Sequence, residues 1–101
     1  MSFQVNKPVV LAQAGVALRT VTINAAPSGP GAALVTNTAA PLTLNDAASI
    51  ATAATGNLIW SAPLSALTGM VGQTVQLQTP TSNGLTISAV PPGVGITVDL
   101  G

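Results

Sequence analysis

The chain has no cysteine, no histidine and no tyrosine, and only four of its 101 residues carry charge: Lys7, Arg19, Asp46 and Asp99. Each absence removes a class of function. Without cysteine there is no disulfide framework, and redox compartment leaves no mark on the sequence. Without histidine or cysteine there is no Ser–His or Cys–His nucleophilic pair and no zinc centre of ordinary ligands. One lysine and one arginine are too few for the clustered basic surface that captures nucleic acid or anionic lipid. Asp46 and Asp99 are too few for a calcium cage, which takes about six to eight oxygens. As the paired acids of a glycosidase they would have to lie about 5–10 Å apart. Asp46 reads instead as a cap or turn residue and Asp99 as a solvent-facing strand residue. No enzymatic activity, cofactor or metal is expected.

Aromatics are equally scarce. Phe3 and Trp60 are the only two, which is too few for the girdles of a membrane barrel or for the exposed platforms of a sugar-binding site. Trp60, between Ile59 and Ser61 in a strand-like run, reads as core or interface. No apolar run reaches the roughly 18 residues of a membrane span, because Gln13, Arg19 or Pro91-Pro92 interrupts each. The apolar stretch PVVLA after Lys7 is too short for a signal-peptide core, although Ala12-Gln13-Ala14 has the form of a cleavage site; a cleaved signal is not expected.

What is present is apolar and neutral. Hydrophobic residues make up 48% of the chain, charged residues 4%, and the formal net charge is zero; an ordinary globular chain is about a quarter charged. Zero net charge gives identical copies little to hold them apart, and strand edges without charged side chains accept further strands. The composition therefore predicts a surface covered in its working state, by copies of the chain or by a larger partner.

Alternation carries the fold signal. In the last third, Val75 and Leu77 alternate with polar neighbours, as do Leu85, Ile87 and Ala89, and then Val94, Ile96, Val98 and Leu100. Period two marks strands with one dry face. Pro92-Gly93 suits the centre of a type II turn, and Asn83-Gly84 closes the preceding loop. The spacing predicts a three-stranded antiparallel meander, with Val75, Leu77, Leu85, Ile87, Val94, Ile96 and Val98 in the core.

Upstream, residues 8–13, 17–25, 32–38, 41–45 and 57–62 read as further strands, with Ala26 to Gly31 (APSGPG) as the strongest turn signal. Over 17–25, strict alternation sets Leu18, Thr20, Thr22 and Asn24 on one side. Arg19, Val21, Ile23 and Ala25 fall on the other, with the Arg19 head escaping to solvent or an interface. Residues 46–56 are either one or two helical turns capped by Asp46 or an extended crossover, and 63–69 hold a single helical turn. About eight short strands with frequent turns define an all-β, single-domain antiparallel β-sandwich, jelly-roll-like in one arrangement. Residues 1–7 are expected to form an N-terminal arm ahead of a domain over 8–101. Phe3 and Val5 would anchor that arm on a neighbouring subunit, and Arg19 and Trp60 complete the candidate protein-interface residues.

Two stretches carry a resemblance. Gly56, Asn57, Ile59, Trp60 and Ser61 match a GN-x-I-W/Y-S strand. Gly84, Leu85, Thr86, Ile87, Val90, Pro91, Gly93, Thr97 and Val98 match a C-terminal hairpin pattern, GLT-(V/I)-x-x-V-P-x-G-x-x-(I/V)-T-V. Together they cover less than half of the chain, and they resemble small β-structured structural proteins of tailed bacteriophage particles. The resemblance implies a head decoration, or cement, protein: a virion component on the capsid surface that is commonly oligomeric, often trimeric, and clamps the lattice of the major capsid protein. The alternatives are a carbohydrate- or receptor-binding module of a tail fibre, or a self-assembling surface or fibre subunit. No nucleic-acid or membrane partner is expected.

Overall fold

A computed structural model describes residues 2–26, 41–53 and 55–101. They form eight strands: β1 (Ser2–Val5), β2 (Val9–Ala12), β3 (Ala17–Ala25), β4 (Leu42–Asn45), β5 (Leu58–Ala62), β6 (Thr74–Pro80), β7 (Leu85–Ala89) and β8 (Gly95–Leu100). One helical turn, α1 (Leu64–Leu67), joins β5 to β6 as the sequence predicts, and 3-10 turns occupy Ile50–Thr52 and Thr55–Asn57. The strand expected over 32–38 and most of the APSGPG turn lie outside the described residues.

The strands make two four-stranded antiparallel sheets, ordered β1-β8-β3-β6 and β2-β7-β4-β5. The pairs β1–β8, β2–β7, β3–β6 and β4–β5 nest inside one another, and β3–β8 and β4–β7 close each sheet. This is a long hairpin rolled into two layers, the connection of a jelly roll. The all-β sandwich read from the alternation is the observed fold.

Between the layers lies a core of aliphatic side chains: Leu18, Val21 and Ile23 from β3, Leu42 and Leu44 from β4, Leu85 and Ile87 from β7, Ile96 and Val98 from β8, with Val94 just ahead of β8. Leu64 and Leu67 of α1 plug its end. No aromatic is fully buried; Phe3 and Trp60 pack against the core from its margin.

Four expectations are corrected. The last third is not a meander. β6 is outermost in the first sheet, β7 belongs to the second, and β8 returns to the first between β1 and β3. Alternation reports a dry face but not the partner strand. The turn at Pro91–Val94 has the predicted form, with Gly93 at φ 82° and the Val94 N–H donating to the Pro91 carbonyl at 3.1 Å. It carries the chain from one sheet to the other, a layer spacing of about 10 Å, and makes no hairpin.

Within the expected N-terminal arm, residues 2–5 form a strand of the sandwich itself. Ser2–Val5 pair with β8 in the register Phe3↔Val98 and Val5↔Ile96, and Val5 is only 4% exposed. Two apolar residues on one face suffice to seat this strand on the otherwise open edge of β8.

Strict alternation fails in β3. Against β8, the register steps from Leu18↔Leu100 to Thr20↔Asp99, leaving Arg19 as the extra residue of a bulge. A bulge resets which side chains face inward, so Leu18, Val21 and Ile23 are all buried while Arg19 is exposed.

Finally, Val75 and Leu77 are half-buried instead of core. Among the described residues β6 has a neighbour on one side only, and the other five predicted core residues are fully buried.

Candidate functional site

The four sequence-predicted interface residues do not converge on one patch. Val5 and Phe3 sit on β1 and face their own core. Trp60 is on β5 opposite Leu44, a buried residue, so it too points inward and is half-buried. Arg19 projects from the β3 bulge, its stem close beside Gly101. Of the four, Arg19 alone is exposed.

The surface itself is more informative. The outermost strands β1, β2, β5 and β6 contain no charged residue. Outer strands ordinarily carry lysine or another charge that discourages further pairing. Here the charges lie elsewhere, Lys7 between β1 and β2, Arg19 and Asp99 on inner strands, and Asp46 just after β4. Among the described residues, each outermost strand pairs on one side only.

The two outer faces differ. The first sheet presents cross-strand rows of small polar groups, Gln4, Thr97, Thr22 and Thr74 in one and Ser2, Asp99, Thr20 and Gln76 in the next. The Thr22 and Thr74 hydroxyls pair at 2.8 Å, and Asn24 donates to Thr97 at 2.6 Å. On the second sheet, the β4–β5 connection folds back across the outside of β7. It leaves a hollow of about 410 Å³ lined by the polar Thr43, Asn45, Ser61 and Ser88 and by the exposed Ile50 and Leu58. Ile50 and Leu58 are two of the three large hydrophobics exposed among the described residues, Val71 being the third.

A chain of neutral hydrogen bonds stiffens that face. The Ser88 hydroxyl donates to Asn45 Oδ1 at 2.6 Å, Asn45 Nδ2 donates to Asn57 Oδ1 at 2.9 Å, and Asn57 Nδ2 donates to the Thr52 carbonyl at 2.9 Å. Thr86, fully buried, donates to the Ala47 carbonyl at 2.8 Å. Buried polar groups that are satisfied in this way hold a unique arrangement at little cost. Sequence reasoning missed this network, since only the contact order of the fold brings Asn45, Asn57 and Ser88 together. Ile50, the one large apolar residue in DAASIATAATG, was a signal available to it.

Asp46 caps no helix. Its carboxylate accepts the N–H groups of Ser82, at 3.0 and 3.1 Å, and of Asn83, at 2.8 Å, clamping the β6–β7 loop to the end of β4. The backbone amides of Asn83 and then Ser82 hold the Asp46 carboxyl below its ordinary pKa against the opposing effect of desolvation, with Gly84 contributing least. Asp46 follows a strand of the second sheet and Asp99 lies in the first.

Together these residues make an uncharged, hydrogen-bonded surface with exposed aliphatic side chains next to strands that, among the described residues, pair on one side only. No protein-family model, curated protein or solved structure matches the chain. The class that the structure defines is a small jelly-roll β-sandwich.

Proposed function

We propose that the chain is a non-enzymatic virion structural protein, a decoration or cement protein that binds the assembled head lattice of a tailed bacteriophage and stabilises it. The observation that carries this reading is the lack of charge on all four outermost strands. Such edges favour backbone pairing and apolar contact with an ordered protein surface. The exposed Leu58 on β5 and Ile50 beside it add apolar area on the same side of the second sheet. The likeness of the stretches around Trp60 and Gly84–Val98 to small phage structural proteins supports it, and jelly rolls are frequent among capsid domains, although a fold alone assigns no function. The partner in this reading is the major capsid protein lattice. The working state is a homo-oligomer, with a trimer favoured, on the capsid surface.

The test is a reconstruction of particles of the virus that encodes the chain. Ordered density fitting the sandwich on the outer head surface, repeated at lattice positions, is the expected result. Density confined to tail fibres would replace this reading with the receptor-binding alternative.

A further inference from the structure

Of the six asparagines, at 6, 24, 37, 45, 57 and 83, Asn83 alone precedes glycine. In the other five the next residue is lysine, alanine, threonine, aspartate or leucine, whose side chain hinders approach of its own backbone nitrogen to the asparagine amide. Glycine is not free to change here. Gly84 is buried with φ 143°, and a Cβ on it would strike the Ala12 carbonyl oxygen and lie 2.9 Å from that of Ala47. The packing of the β6–β7 loop against the ends of β2 and β4 therefore imposes an Asn-Gly pair wherever position 83 is asparagine.

The surroundings of Asn83 leave its side chain open to reaction. The side chains of Asn24, Asn45 and Asn57 donate hydrogen bonds. Asn83 enters the network through its backbone N–H and leaves its side chain exposed. Beside it is an open hollow of about 340 Å³ lined by Asp46, Ala47, Ala48, Thr52 and Asn57, with room for a compact ring and for water.

We infer that Asn83 is a site of spontaneous amide-to-acid conversion, and that conversion releases the clamp which Asp46 holds on the Ser82–Gly84 loop. The Gly84 nitrogen attacks Asn83 Cγ. A C–N bond forms, the Cγ–Nδ2 bond breaks, and ammonia leaves with the proton from Gly84. Water then opens the five-membered imide at either carbonyl, giving aspartate or isoaspartate. Water enters, ammonia leaves, and no oxidant or reductant is needed. Either product places a new carboxylate beside that of Asp46, and the net charge falls from zero. Like charges at close range oppose the hydrogen bonds that Asp46 makes. Isoaspartate also adds a backbone carbon next to Gly84, where the Ala12 and Ala47 carbonyls leave no slack. Asp46 guards the site until then, because its carboxylate accepts from the Ser82 and Asn83 amides and so restrains the loop, and its negative charge disfavours loss of the neighbouring Gly84 proton.

The experiment is incubation of the purified protein in mildly alkaline buffer, with peptide mass spectrometry and an isoaspartate assay over time. Asn83→Gln and Asp46→Asn variants run alongside. The expected result is conversion concentrated at Asn83 with both products present, abolished in Asn83→Gln and faster in Asp46→Asn. The converted fraction, separated by anion exchange, should melt at a lower temperature than the unconverted protein. Conversion spread evenly over the asparagines, or none at Asn83 while the denatured chain converts there, would overturn the site. A converted fraction that melts with the parent would overturn release of the clamp. Should Asp46→Asn fail to fold, the site is still decided by wild type against the denatured chain, and the clamp by the melt of the converted fraction.

Discussion

Leu85 and Ile96 are fully buried, from opposite sheets, within one aliphatic core. Truncating either to alanine removes apolar contact and leaves a cavity, and should cost about 2–5 kcal/mol in chemical denaturation; a loss under about 0.5 kcal/mol, the range of ordinary surface changes, would contradict their placement. Asp46 gives a second prediction at this scale. Its carboxyl is held below the ordinary value by the amides of Asn83 and Ser82, so its contribution is present above the unfolded pKa of about 3.9 and is lost as pH falls through the lower folded value. Asp46→Asn should thus be less stable than wild type near neutrality, with the difference closing in acid. Paired urea titrations across pH read this directly, and a constant difference at all pH values would contradict it. Single-residue facing was legible wherever alternation was regular, as at Leu85, Ile87, Ile96 and Val98. It was not legible at Arg19, where a bulge shifts the phase, nor at Val75 and Leu77, where burial depends on how many neighbours a strand has.

At the scale of elements, β1 shows how four residues become structure. The sequence SFQV has too few apolar positions to announce a strand, and terminal residues are frayed by default. The unfilled edge of β8 supplies partners for its backbone, and Val5 fills space against Ile96. Deleting residues 1–6 should consequently lower stability by an amount comparable to a core truncation, about 2–5 kcal/mol; an unchanged denaturation midpoint would return this segment to the status of a free arm. Turns were legible because their chemistry is local: proline and glycine at 92 and 93 gave the turn, and α1 followed Pro63. The destination of each turn was not, because crossing between sheets is decided by non-local pairing. Local alternation therefore suggests a meander, whereas β6, β7 and β8 occupy two layers.

For the whole molecule, two halves of the design fit together. Composition alone pointed to a covered surface, and the fold shows where that neutrality sits, on the outermost strands, with Leu58 exposed on one of them and Ile50 exposed beside it. The candidate surface was thus legible in character and illegible in position, since membership of an edge is a property of sheet order. Leu58→Lys places a charge on β5 at an exposed site. Its effect on folding should stay within about 0.5 kcal/mol, while self-association and lattice binding weaken, as size-exclusion and particle-binding assays would show; undiminished binding would remove β5 from the attachment surface.

The most direct measurement is a titration of stripped heads with the purified protein at low salt and at about 1 M salt, with a thermal melt of each sample. Screening shortens the reach of charge from about 10 Å at 0.1 M to about 3 Å at 1 M, and leaves apolar burial and strand pairing in place. Occupancy that barely changes between the two conditions, with a raised particle melting temperature from preferential binding to the assembled state, is the expected result. Steep loss of binding at high salt would contradict attachment through uncharged edges, and saturating binding with an unshifted melt would contradict the cement role.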